Sequence, residues 1–271
     1  MSKFLITLVF LATTVTAGNL HNYYPQSFVK EVKMKGHHDI KDSLFSILNQ
    51  YHTQQNGKRD LLGCNPKVGK CYNQISLGYK GARKVLFGNL HLKQDKSGYY
   101  VKDVYCNKKI RRGKTRIGPG QIPNHNVINC EHTWPQSKFS SRFPRGIQKS
   151  DLHHLYPTDS NANSVRGNYN FDEVRGRYVS DDCTSSLTEG HGGNFEPPHE
   201  HKGNVARALF YFSVRYQIPI HHAQEVLLRK WHDADPIDQD EISRNEMIYN
   251  VQKNRNPFID MPSLVDKVSN F

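Results

Sequence analysis

A mixed α+β fold in a single domain is what this sequence predicts, on three observations. Apolar residues recur at helical spacing near the N-terminus and again through the last third of the chain, with short β-leaning segments between them. No long Gly/Ser linker or charge block divides the 271 residues, a length that suits one large domain or two small ones. The composition (36% apolar, 23% charged, mean hydropathy −0.72) is that of a globular chain and not of a disordered or membrane-embedded one, and no repeat, collagen or coiled-coil period is present.

The first 17 residues stand apart. Lys3 precedes the apolar run Phe4 to Ala12, and Val15-Thr16-Ala17 puts small residues where a signal peptidase cuts, so residues 1–17 read as a secretory signal peptide and Gly18 as the mature N-terminus. A bilayer span needs about 20 apolar residues and this run is about half that, which disfavours an anchor. Residues 18–271 then form the exported domain, secreted or periplasmic, with no membrane in the mature form. Five cysteines follow: Cys64, Cys71, Cys106, Cys130 and Cys183. In an oxidising compartment they make two disulfides and one leftover thiol, and the turn-rich loop between Cys64 and Cys71 suits a local bridge. A zinc site would prefer a CxxC pair, and the chain has none.

The elements follow in order. Ile40, Leu44, Phe45, Ile47 and Leu48 place an amphipathic helix over residues 40–51. Segments 99–105 and 127–130, set among Gly, Pro and Asn, read as short strands. Thr158 or Asp159 can cap a short helix that Gly167 ends. Beyond Pro197-Pro198 a helix carries Val205, Ala208, Leu209 and Phe212 on one face, and helical stretches recur over residues 222–233 and 238–254.

Charge narrows the partners. Thirty-seven Lys and Arg against 25 Asp and Glu give +12, and losing Lys3 with the leader leaves +11, so a polyanion is the expected partner. The run from Lys108 to Arg116 holds six cations in nine residues, and Lys138, Arg142, Arg145 and Lys149 extend it, reading as a phosphate-contacting surface.

The chemistry concentrates in Cys130-Glu131-His132-Thr133-Trp134-Pro135, where an acid and an imidazole stand side by side at a strand end. Adjacent strand residues face opposite ways, so one can hold a metal while the other reaches a water beside it. Asn163, about a turn into the short helix, can aim a neutral oxygen toward Glu131. A carboxylate and an amide oxygen form a hard, oxygen-only pair that leaves coordination positions to water and phosphate, which is how magnesium is held.

These residues resemble the endonuclease I family of secreted and periplasmic nucleases, of the ββα-metal or His-Me finger superfamily. The resemblance rests on Glu131-His132-Thr133-Trp134-Pro135, Asp151-Leu152-His153-His154-Leu155-Tyr156-Pro157 with Asn163 and Arg166-Gly167-Asn168, Glu196-Pro197-Pro198-His199 through Ala208, and Asn254-Arg255-Asn256-Pro257-Phe258-Ile259-Asp260, four ordered blocks over residues 40–262. It implies a ββα-metal active-site motif flanked by helices, with His132 as general base and Glu131 and Asn163 as ligands of one Mg2+, for which Mn2+ or Ca2+ can substitute. It also implies an arginine that steadies the phosphate, Arg142 or Arg145 here with Arg166 as an outside choice, and supporting roles for Glu196 and His199. The implied reaction is sequence-nonspecific hydrolysis of DNA and RNA phosphodiesters to 3′-hydroxyl and 5′-phosphate ends; the sequence leaves the oligomeric state open, with a monomer favoured. No zinc finger, basic zipper or aromatic single-strand signature suggests base reading, so contacts to the backbone are expected.

Blander readings cover the other conspicuous residues. His153 or His154 suits a hydrogen-bonding role in the core. His199 and His201 lie about 200° apart on a helix and do not converge on one ion. His221 and His222 read as surface residues, and Phe210-Tyr211-Phe212 through Tyr216 as helix core. Asp235, Asp238, Asp240 and Glu241 lack EF-hand spacing. Two rival functions are a binding module without activity and a zinc-dependent hydrolase.

Overall fold

In a computed structural model, residues 20–34, 39–113 and 115–271 are described, so the signal-peptide reading of residues 1–17 lies outside them. The N-terminal part holds helices α1 (Gln26–Lys33) and α2 (Lys41–Asn49) and a small antiparallel sheet of β1 (His52–Gln55), β2 (Lys58–Leu62) and β3 (Cys71–Tyr72). The Cys64–Cys71 disulfide closes the loop between the last two strands. Helix α3 (Gly78–Val85) leads to a second antiparallel sheet, β4 (Leu92–Asp95), β5 (Gly98–Lys102) and β6 (Lys109–Arg111). Strand β5 stops at Lys102 because the Asp103 carboxylate turns the chain, accepting from the backbone N–H of Tyr105, Cys106 and Lys108.

The centre is a hairpin-like pair, β7 (Ile128–His132) against β8 (Leu155–Asp159), followed by helix α5 (Ser160–Arg166). The strands are antiparallel, with Glu131 opposite Tyr156 and His132 opposite Leu155. Between them runs helix α4 (Arg145–Ser150). Helix α5 begins and ends on local chemistry: the Asp159 side chain accepts from the N–H of Asn161 and Ala162, and Gly167 closes it at φ 53°, ψ −123°. A third antiparallel sheet, β9 (Arg177–Ser180), β10 (Cys183–Thr188) and β11 (Phe195–Glu196), is tied to the Asp103 turn by the Cys106–Cys183 disulfide.

The C-terminal third is helical: α6 (His199–Tyr216), α7 (His222–Ala234), α8 (Gln239–Gln252) and the short α9 (Pro257–Asp260). Helix α6 is buried nearly all round, with Val205, Phe210, Phe212 and Tyr216 fully enclosed, and burying each such side chain is worth roughly 1.5–3 kcal/mol. The two prolines precede it, Pro198 standing as its N-cap residue. Gly203 lets the end of α7 approach, since a Cβ there would sit 2.1 Å from the Asp235 carbonyl oxygen.

Helices α6 and α8 clamp the start of β8. The buried Asp151 carboxylate accepts from the hydroxyls of Tyr211 and Tyr216 and from the Gln252 amide, while Arg244 donates to the carbonyls of Leu152 and Leu155. His153 and His154 both lie in the core, on the carbonyls of Asn254 and Gln148. Register at the β7–β8 end is therefore held from the helical side of the molecule.

Candidate active site at the β7 end

Alternation along β7 puts Asn129 and Glu131 on one face and Cys130 and His132 on the other. Both neighbours Glu131 and His132 are buried, at 2% and 6% exposure, yet both line one cleft of about 280 Å³ together with Gln136, Asn163 and Arg166. Glu131, His132 and Asn163, singled out from sequence, are thus brought together where the strand meets α5.

The Glu131 carboxylate is held on one oxygen. Tyr105 donates its hydroxyl to Oε1 at 2.9 Å, and Arg166 Nη1 lies 3.0 Å from the same atom. Burial raises the carboxyl above its ordinary range, and Arg166 and the Tyr105 hydroxyl pull it back down. Arg166 is itself 2% exposed; it also donates to the carbonyls of His132 (3.1 Å) and Thr133 (2.7 Å), so its guanidinium braces the strand end as well as the acid.

For His132, the partner of Nε2 is the Lys149 carbonyl at the end of α4, 3.1 Å away. A carbonyl only accepts, so Nε2 carries the hydrogen and Nδ1 keeps the lone pair. Nδ1 faces the Gln136 amide at 3.3 Å, on the cleft side. Burial among Tyr79, Phe139 and His154 lowers the imidazole to about 3, with the neighbouring His154 adding to the effect, so the ring is neutral at pH 7.

Asn163, the fourth residue of α5, donates Nδ2 to Asn129 Oδ1 at 2.6 Å. That bond fixes which end of the amide is which and leaves Oδ1 as the acceptor. Glu131 and Asn163 therefore offer oxygen atoms only, a set that suits a hard divalent cation with water completing its shell. Among the described residues no group of three or more His, Cys, Asp and Glu is placed to hold a metal ion, so these two oxygens form the candidate centre.

The arginines fall differently. Arg145 donates to the Gln136 carbonyl at 3.0 Å and lies over the Phe139 ring, at the rim of the cleft. Arg142 is exposed and reaches Gln217 at 3.5 Å. Neither lines the cleft, whereas Arg166 does. Glu196 is taken up structurally, accepting from Lys202 and from the Val174 N–H, and His199 is exposed while His201 is buried. The basic run is less free than its composition suggests: Lys108 pairs with Asp159 and Asp182, and Arg111 pairs with Asp95. Arg112 and Arg116 line an open groove instead, and Lys114 lies outside the described residues.

Sequence reasoning missed Asn129, Tyr105 and Gln136. Asn129 carried a signal, since it sits two positions before Glu131 and so on the same strand face. Tyr105 carried none, because it arrives from the Asp103 turn 26 residues away. Cys130 is the one free cysteine among the described residues, buried and among the residues that line the cleft.

A ββα unit with an acid and an imidazole at the strand end and an amide on its helix defines the centre of this α+β protein. The chain belongs to the endonuclease I family, whose match covers residues 65–263. It is similar to the extracellular ribonucleases of Bacillus subtilis and Bacillus amyloliquefaciens, each 38% identical over 159 residues that make up 52% of this chain and 53% of the relative. It is also similar to a periplasmic deoxyribonuclease of Aeromonas hydrophila, 30% identical over 182 residues, 58% of this chain and 77% of the relative. The chain spans about half the length of the Bacillus relatives it matches. No helix among the described residues is long and apolar enough to cross a membrane.

Proposed function

We propose that this protein is an exported, magnesium-dependent endonuclease that hydrolyses phosphodiester bonds of DNA and RNA at the Glu131–His132–Asn163 cleft. The observation that carries the reading is the convergence of a buried acid, a neutral imidazole whose Nδ1 keeps its lone pair toward the Gln136 amide and an amide oxygen on one cleft. The names of the relatives, extracellular ribonuclease and periplasmic deoxyribonuclease, support both the polymer class and export.

His132 takes the proton of the attacking water at Nδ1. Its Nε2–H stays on the Lys149 carbonyl, which orients the ring and supports the imidazolium as it forms. Glu131 and Asn163 would hold the divalent ion, with Tyr105, Arg166 and Asn129 fixing the directions of their oxygens. When bound, such an ion supplies charge relief at the phosphate and at the departing alkoxide. Arg145, tied to a cleft residue through the Gln136 carbonyl, is better placed than Arg142 to meet the phosphate. Cleavage of the P–O3′ bond then leaves 3′-hydroxyl and 5′-phosphate ends.

A plasmid-nicking assay tests the reading. Wild-type protein nicks with Mg2+ and stops with EDTA, and His132→Ala lowers the rate by about 10²–10⁴-fold, the contribution of a positioned base, while DNA binding is retained. Undiminished nicking by His132→Ala, or nicking that ignores EDTA, overturns it.

A further inference from the structure

Against the other side of Arg166 lies a second pocket, about 270 Å³, near the lower end of small-molecule sites. Arg166 and Pro135 line both this pocket and the cleft, so the two share a wall. The pocket has an aromatic and aliphatic lining from Trp134, Phe171, Leu209 and Ile220. Among the described residues its lining includes the cations Lys138 and Arg166 and no carboxylate. Apolar walls with cations and no acid suit a flat heteroaromatic group that carries a phosphate, and exclude a cationic ligand.

The polar groups are set for a ligand with donors and acceptors. Gln224 gives its Nε2 to the Phe171 carbonyl at 2.8 Å, which leaves its Oε1 as an acceptor. Asn170 accepts from Lys138 at Oδ1, at 3.0 Å, which leaves its Nδ2 as a donor. Thr133, at 1% exposure, is among the lining residues; its buried hydroxyl and the buried Nε of Arg166 have no protein partner. Buried polar atoms without partners are costly, and these two belong to residues that line the pocket.

We propose that this pocket receives one base of a single strand whose scissile phosphate lies in the neighbouring cleft; the inference rests on the nuclease reading of that cleft. The base enters between the apolar walls, its edge meets Gln224 and Asn170, and Arg166 stands between base and phosphate. Both purine and pyrimidine faces stack, so the pocket positions the strand without selecting sequence. A duplex keeps its bases stacked inward, so single strands and flexible RNA fill the pocket readily and duplex DNA does so only where a base is extruded.

Asn170→Phe tests this, because Asn170 is exposed and its larger replacement closes the mouth of the pocket without touching Glu131, His132 or Asn163. Three measurements are made on wild type and variant: quenching of tryptophan fluorescence by thymidine 5′-monophosphate, kcat/KM on an oligothymidylate, and kcat/KM on an oligomer of abasic deoxyribose phosphates. The expected result is quenching that the variant loses, a fall of about tenfold on oligothymidylate carried by KM, and no change on the abasic oligomer. Gln224→Ala, which opens the pocket and removes its acceptor, weakens the nucleotide signal in the same direction. Unchanged quenching and unchanged cleavage of oligothymidylate in Asn170→Phe overturn the proposal. If wild-type protein cleaves neither oligomer yet shows quenching that the variant loses, the nucleotide pocket stands and the nuclease reading is what has failed.

Discussion

The amide of Asn163 has two chemically different ends, and Asn129 decides which one the cleft sees. Its Oδ1 accepts Nδ2 of Asn163 at 2.6 Å, so the oxygen of Asn163 is the end left open, the one that the proposed function assigns to a cation. Partners of this kind outside the ligand set are worth about 10–100-fold in metal affinity. Asn129→Ala is therefore expected to raise the Mg2+ concentration needed for half-maximal nicking by about tenfold, with the rate at saturating Mg2+ nearly kept; an unmoved midpoint removes Asn129 from the site. At this scale much was legible. Glu131, His132 and Asn163 sit in a dense polar motif whose spacing follows from strand alternation and one helical turn. The orienting groups were less so, because Tyr105 and the Lys149 carbonyl are defined only by where other segments come to rest.

Among the elements, α5 is the one that the site can least spare, and it is specified almost entirely by its own ends. Asp159 caps it through two backbone N–H groups and also receives Lys108, while Gly167 takes a positive φ of 53° with ψ −123°. Asp159→Ala is expected to destabilise the protein by about 1–2 kcal/mol through loss of the cap. Gly167→Ala should cost about 1–3 kcal/mol through backbone strain. Urea unfolding of both variants checks this, and a change below about 0.3 kcal/mol in either would mean that tertiary packing, not the termini, holds the helix. The helix was readable from sequence because caps act within a few residues. The basic run was less legible for the opposite reason: the carboxylates that pair with Lys108 and Arg111 come from Asp95, Asp159 and Asp182, and net charge does not say which cations are already paired.

Over the whole molecule, burial of neutral histidines sets a pH dependence. Burial lowers His153 and His154 to about 4, and His132 and His201 to about 3, against an ordinary value near 6.5. The unfolded chain therefore binds protons that the native protein refuses. Their contribution to stability is full above about pH 6.5, falls as pH drops through the window to about 4 or 3, and levels off below it. Raised carboxyls such as Glu131 and Glu241 oppose the trend, so the comparison is made on one residue. His201, packed against Tyr105 and Tyr156 with Nε2 unpartnered, serves best. Between pH 6 and 5, His201→Gln should lose less stability than wild type, by up to about 1.4 kcal/mol per pH unit, as read from urea midpoints. Parallel pH curves for the two proteins would show that His201 is not refusing its proton.

Periodicity, caps and the local Cys64–Cys71 loop were enough to determine the α+β class, the helices over α2, α6, α7 and α8, and the motif that centres the site, because each depends on residues close along the chain. Tertiary structure alone decided the Cys106–Cys183 pairing, the clamp of α6 and α8 on Asp151, the Arg166 brace on Glu131 and the pocket behind it. Those features join groups tens of residues apart, and desolvation and hydrogen-bond partnership exist only once packing has excluded water and brought such groups together.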